Sequence, residues 1–325
     1  MLLTFGLGRA TGRAHFLRRL CAYVPIGYSI VQPQGGKRGR AVADIGLDFV
    51  VAPPCVAQHI SLFYHFCAPA PGFDDTERAQ IAQLRFRLSA GSATYHFADG
   101  TAQFTDGHHV MGPTSGASRV VADGDVRVFG MGITPAGWAA MIGVEASSLL
   151  NRIVDARQLF GDRIDAAAAA LARATDTAAM VEIGRCLVHE LVREGAGASD
   201  DFMRIVDSWL VENASPEIDC LVAATGLSRR QVERRCNALY GAPPKLLARK
   251  YRALKAAVAL ASGQAAIDDL LCDGFYDQSH LIREVKQFTG LTPGQLLAAP
   301  SPLARMTIDR RSALADRVSP LISGT

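Results

Sequence analysis

Several features are scarce or missing in this 325-residue chain, and each absence narrows its role. The seven cysteines, Cys21, Cys55, Cys67, Cys186, Cys220, Cys236 and Cys272, are scattered, and none forms a Cys-x-x-Cys pair. That spacing argues against a disulfide framework or a zinc ribbon and fits a reducing cytoplasm. No apolar run reaches the ~18 residues of a membrane-spanning helix, so no membrane association is expected. Neither sign of charge dominates, and the formal net charge is +3. Nucleic-acid binding would have to come from local placement of charge rather than from a bulk field. No Gly-x-Ser-x-Gly elbow, phosphate loop or pair of catalytic carboxylates stands out, so the chain is not read as an enzyme. His59, His65, His96, His108 and His109 lack metal-ligand spacing. The adjacent His108 and His109 would point to opposite faces of a strand. Neither a metal nor another cofactor is expected.

With 49% hydrophobic residues, the chain can bury sizeable cores, and its length suggests two domains. Residues 1–45 read as a basic, irregular segment, with no apolar stretch of a secretory leader and a flexible Gly-Gly-Lys-Arg-Gly-Arg link at 35–40. Residues 46–134 read as β-rich. Leu84 to Leu88 alternates apolar and polar side chains, as a half-buried strand should. Ala98 to Thr101 supplies hairpin chemistry, and Val126 to Ile133 reads as a further strand. Short strands between turns suggest an antiparallel sandwich or small barrel. Residues 135–200 read as a connector of three helices, ending in a linker at Gly195 to Asp200. Residues 201–299 read as all-helical, and residues 300–325, with Pro300, Pro302 and Pro320, as a loose tail. The expected fold class is therefore α+β.

A degenerate repeat marks the helical domain. One copy runs from Gly226 to Pro244 and the other from Gly274 to Pro293, each closing on Gly-x-x-Pro. Val232, Cys236 and Leu239 fall opposite Leu281, Val285 and Phe288 in one helical register, the inner face. Gly226 can end a helix in a left-handed conformation, and Ser228 and Asp277 stand where N-caps belong. This is helix, turn, helix, a unit that presents the start of its second helix to base edges in the major groove. The outward positions carry side chains suited to base reading. Arg grips guanine, Gln or Asn reads adenine, and Glu accepts from cytosine. The DNA-facing candidates are Ser228, Arg229, Arg230, Gln231, Glu233 and Arg234 in the first copy. In the second they are Gln278, Ser279, His280 and Arg283. Lys245 to Ala261 has no breaker and predicts a strut about 25 Å long. That is enough to set two recognition helices roughly one DNA turn, about 34 Å, apart.

Residues 205–299 resemble the DNA-binding domain of AraC/XylS-type bacterial transcription regulators. The resemblance rests on Gly226-Leu-Ser228, Gly241 with Pro244, Arg252 to Ala256 with Leu260, and Gly274-Phe275 through Gly290 to Pro293. It implies two helix-turn-helix units joined by a linker helix. It also implies base contacts from Arg230, Glu233 and Arg234, and from the matching Gln278, Ser279 and Arg283. Two departures stand out. The family has Phe where this chain has Cys236 and Val285. It has an Ile-Ala pair where this chain has Asp269 and Leu270, so the supporting helix from Ala265 to Asp273 is expected to be short or irregular.

The segments PPCVAQHISLFYHF from Pro53, GPTSGASR from Gly112 and VFGMGITPAGWAAMIGV from Val128 resemble a sensory domain of one branch of these regulators. That implies a cupin-like β-fold used for effector response or dimerisation. Some repair proteins join such a DNA-binding domain to an alkyl-accepting cysteine in a Pro-Cys-His-Arg signature. Here Pro54-Cys55 is followed by Val56, and Cys55 reads as a small buried hydrophobe. The expected partners are double-stranded DNA, RNA polymerase for an activator, a small-molecule effector and a second copy of the chain. The competing reading is a ligand-binding or enzymatic cupin-like protein whose helical domain only packs.

Overall fold

The computed structural model describes residues 45–192, 201–212, 215–272 and 274–324. The basic segment expected over 1–45 lies outside the described residues except for Ile45, and so does the linker expected at Gly195 to Asp200. The strands are β1 (Gly46–Val51), β2 (Ile60–Ala68), β3 (Gly72–Glu77), β4 (Gln83–Arg87), β5 (Ala93–His96), β6 (Ala102–Thr105), β7 (His109–Met111), β8 (Ser118–Asp123), β9 (Val126–Ile133) and β10 (Ile153–Asp155). They form two antiparallel sheets, β1-β2-β9-β4-β7-β10 and β3-β8-β5-β6. The hairpin expected at Ala98 to Thr101 joins β5 to β6, with His96 opposite Ala102 and Gly100 at φ 83°.

Strand β4 corrects the expectation of a half-exposed strand, because all five of its residues are buried. Leu84 and Phe86 face the core shared with the helices. Arg85 faces the space between the sheets, where its Nη1 donates to Tyr95 Oη at 2.9 Å. Alternation here separates two interiors rather than interior from water.

Beyond β9 come α1 (Pro135–Met141), a 3-10 turn (Ala146–Leu149), α2 (Ala156–Phe160), α3 (Arg163–Arg173) and α4 (Thr177–Leu191). Among the described residues, four helices thus stand where three were expected, and β10 adds an edge strand from within the connector. Thr134 caps α1 and Asp176 caps α4 through side-chain oxygens. Leu171, Met180 and Leu187 join Phe63, Phe86 and Phe129 in one buried core on the outer face of the six-stranded sheet. Gly184 permits this approach, since a Cβ there would lie 2.7 Å from the Phe63 ring. Cys55, expected to be buried, is exposed. The turn after Pro53 and Pro54 points it outward while Val56 takes the interior.

The helical domain comprises α5 (Asp201–Glu212), α6 (Ile218–Thr225), α7 (Arg229–Tyr240), α8 (Pro244–Ala261), α9 (Ile267–Cys272), α10 (Gln278–Thr289) and α11 (Pro293–Ala298). The final segment is not a loose tail. It forms α12 (Pro302–Ser312) and α13 (Pro320–Ser323), each with its proline in the first turn. Proline lacks an N–H and has a helix-compatible φ, so it begins a helix as readily as it ends one. Leu303 and Leu314 enter the core between the sheets, and Leu303 N–H donates to the Asp75 carboxylate at 3.1 Å. Among the described residues, no helix is long and apolar enough to cross a membrane.

Candidate nucleic-acid interface

The first unit is α6, a turn at Gly226, and α7. Gly226 adopts φ 64° as the C-cap of α6, the left-handed conformation that a glycine enters without strain. Ser228 and Gln231 form a capping box at the start of α7. Gln231 Oε1 accepts from Ser228 N–H at 2.9 Å, so these two candidates help to hold the helix start. Arg229 is exposed and pairs with Asp219 at 2.6 Å. Arg230, Glu233 and Arg234 are exposed on the same helix. On the inner face, Val232 and Cys236 are fully buried. Leu239, expected there, is half-buried and packs against this core beside the buried Tyr240. The Tyr240 hydroxyl lies 2.8 Å from Asp207 Oδ1, and burial pushes the Asp207 carboxyl up to about 6. Phe202, Trp209 and Tyr240 supply the aromatic bulk around Cys236.

The second unit is α9 and α10. Helix α9 is six residues long, as the departure at Asp269 and Leu270 suggested. Asp277 caps α10 by accepting from His280 N–H, and Leu281, Val285 and Phe288 are fully buried. Gln278, Ser279 and Arg283 are exposed. His280 is half-buried with both ring nitrogens engaged. Nδ1 accepts from Tyr276 N–H at 3.2 Å, and Nε2 lies 3.1 Å from Glu284 Oε1. Tyr276 (93% exposed), not singled out from sequence, and Ile282 (37% exposed), expected on the outside, add apolar surface at the head of this helix. Such groups suit contact with a thymine methyl.

The strut α8 brings the two units to one cleft of about 800 Å³, lined by Arg229 of the first, Lys245, Arg249 and Arg252 of the strut, and His280 and Arg283 of the second. Glu284 organises this cleft, and sequence reading missed it. Its side chain is 2% exposed and receives Arg249 Nε at 2.7 Å and Arg252 Nη2 at 2.7 Å. Burial alone would push this carboxyl up, but the hydrogen bonds from Arg249 and Arg252 outweigh it and hold the group below its ordinary value. A signal was present. Residues 281, 284, 285 and 288 form one i, i+3, i+4, i+7 stripe, and a carboxylate inside a buried stripe demands a buried cation.

The β-domain holds the second unit directly. Ala79 N–H donates to Phe288 O at 2.7 Å and Ala117 N–H to Gln287 O at 2.8 Å. Both acceptors lie in the last turn of α10, whose carbonyls have no intrahelical donor. Ala79, Ala253, Leu254 and Phe288 form a small buried core at this junction. Among the described residues, no group of three or more His, Cys, Asp or Glu side chains could hold a metal ion.

A family model described as a helix-turn-helix domain matches residues 221–299. The chain is similar to a solved structure of ToxT from Vibrio cholerae at 7% identity, covering 72% of this chain and 97% of that one, with a TM-score of 0.42. It is similar to the AraC-like transcriptional activator CuxR at 11% identity, covering 70% and 85%, with a TM-score of 0.29. A cupin domain from Bordetella pertussis Tohama I aligns at 8% identity, covering 30% and 99%, with a TM-score of 0.19. No curated protein matches. Two capped helix-turn-helix units on one strut, together with the match over 221–299, identify the C-terminal part of this chain as a helix-turn-helix domain carried by an antiparallel β-domain.

Proposed function

We propose that this chain is a sequence-specific transcription regulator of the AraC type, acting on double-stranded DNA in the cytoplasm. The observation that carries the reading is the pairing of exposed polar helix faces, on α7 and α10, with one basic cleft along α8. Arg230, Glu233 and Arg234 are assigned to base edges in one major groove, and Gln278, Ser279 and Arg283 to those in the next. Ser228, Gln231 and His280 hold the helix starts in place. Arg229 is set for a phosphate once it leaves Asp219. The β-domain answers an effector or a second copy of the chain and passes the signal through its grip on α8 and α10. As an activator, the protein would also contact RNA polymerase.

Genome-wide mapping of bound sites, followed by a salt titration on the strongest one, tests this reading. Log affinity should fall steeply against log salt, with a slope set by the number of phosphates neutralised. Absent or salt-independent binding to every duplex would sink it.

A further inference from the structure

The loop between β7 and β8, Gly112 to Ala117, crosses from the six-stranded sheet to the four-stranded one. Connections normally run over the surface, because buried backbone groups need partners. Here Gly112, Pro113, Thr114 and Gly116 are all buried. Within the β-domain, Gly112 N–H donates to Arg152 O at 2.9 Å and Thr114 N–H to Gln80 O at 3.2 Å. Asn151, 3% exposed and left-handed at φ 53°, braces the middle of the loop. Its Oδ1 accepts from Ser115 N–H at 2.9 Å, and its Nδ2 donates to Ser115 Oγ at 2.8 Å. Its own N–H donates to Pro113 O at 2.9 Å. Asparagine enters this backbone conformation more readily than most residues that carry a Cβ.

The other side of the loop meets the helical domain at three points. Pro113 packs on the turn that ends α7, so closely that a Cβ on Gly241 would lie 2.8 Å from its ring. Thr114 O accepts from Lys250 Nζ of α8 at 3.3 Å. Ala117 N–H donates to Gln287 O, in the last turn of α10, at 2.8 Å. A Cβ on Gly116 would lie 2.9 Å from that same oxygen, so the approach depends on glycine. One short loop thus touches the C-terminal ends of both recognition helices and the strut between them. The strut itself holds each recognition helix by its inner face. Helix α7 packs in the core around Leu247 and Tyr251, and α10 in the core around Ala256 and Leu260. A helix held along one face can still tilt, and a hold at its far end removes that freedom. The loop supplies this hold at the end opposite to the one that reads bases.

We propose that the β7–β8 loop is a bracket that sets α7 and α10 at one mutual tilt for reading two successive major grooves, and that Asn151 is the positioning residue that keeps its shape. The proposal rests on the reading of the chain as a regulator with two DNA-reading units. Because the two ends of the loop belong to different sheets, the bracket also passes a change in the separation of the sheets to the relative tilt of the helices.

The test compares the parent with Asn151→Ala, Asn151→Asp and Thr114→Val, each as the full chain and checked for a cooperative melt. The parent selects a duplex from a random pool, and this duplex is remade with one base pair inserted or removed between its half-sites. The parent should bind either altered duplex weaker by about tenfold or more, since protein geometry fixes half-site spacing. In Asn151→Ala this spacing penalty should fall below about threefold. A smaller folded fraction lowers all the affinities alike and leaves the ratio unmoved. Asn151→Asp should recover the parent's ratio, because aspartate tolerates the left-handed backbone and still accepts from Ser115 N–H. Without DNA, hydrogen exchange in Asn151→Ala should quicken in the last turns of both α7 and α10. Thr114→Val loses the hydroxyl that accepts from Gln80 N–H at 2.7 Å, and it carries both readouts should Asn151→Ala not fold. A parent indifferent to spacing, an unchanged spacing ratio in the loosened variant, no recovery in Asn151→Asp, or exchange that quickens at one helix or neither would each overturn the bracket. If the parent selects no duplex, the regulator reading fails and the exchange result alone decides the bracket.

Discussion

Ala79 donates its backbone N–H to the carbonyl oxygen of Phe288 at 2.7 Å, joining the β3–β4 segment to the last turn of the second recognition helix. The β-domain therefore completes the hydrogen bonding of a helix that belongs to the DNA-binding domain. Ala79→Pro removes this donor and leaves a buried carbonyl unpaired, a cost of about 1–3 kcal/mol. Hydrogen exchange should then quicken in α8 and α10 while α7 keeps its protection. Unchanged exchange in α10 would show that the contact does not hold the helix.

Arg234 is exposed on α7, and the proposed function assigns it to a base edge. Arg234→Ala should cost about 1–3 kcal/mol on the cognate site and relax specificity at one base pair. An equal, small loss on all sequences would make it a phosphate contact. Arg283→Ala asks the same of the second unit. If affinity and footprint length are both unchanged, that unit is structural only.

Glu284 anchors Arg249 and Arg252 at the cleft between the two units. Glu284→Gln strands these cations, and because Arg249 is 36% exposed the loss should fall near the lower end of the range for a broken buried pair, about 3 kcal/mol. The carboxyl sits below its ordinary value in the folded chain. Its contribution is thus complete above the unfolded pKa and is lost as pH falls through the folded one. Urea midpoints measured across acid pH should show a step that the variant lacks.

Burial, followed by the neighbouring Arg78, pushes the Lys250 ammonium down to about 7 from an ordinary value of 10.5. Between these limits the unfolded chain holds a proton that the folded chain has shed. This site's contribution to stability therefore rises with pH across that window. Lys250→Met should flatten the rise in melting temperature between about pH 7 and pH 10 and stabilise the chain most below it. A slope shared by parent and variant would place the titration elsewhere.

Much of the DNA-binding domain was legible because its signals are local. The cap at Ser228, the left-handed turn at Gly226 and the stripe Leu281, Val285 and Phe288 each involve residues within eight positions of one another. Tyr240 is buried beside the expected Leu239 because α5 packs against this end of α7, where the Tyr240 hydroxyl meets Asp207. Cys55 was misread because apolar character does not reveal which way a turn points. The C-terminal prolines were misread because the partners that reward helix formation there, Asp75 and the inter-sheet core, belong to the distant β-domain.

The sequence by itself determined two helix-turn-helix units, their shared register and their strut, because capping and helical periodicity act over a few residues. Only the tertiary structure decided which charges are compensated. Glu284 meets Arg249 and Arg252, whereas Arg78, Lys250 and Arg311 line one cavity with no salt-bridge partner among the described residues. No spacing in the chain predicts either outcome. The energy of a charge depends on what surrounds it, and those surroundings are assembled from distant segments only when the domains pack.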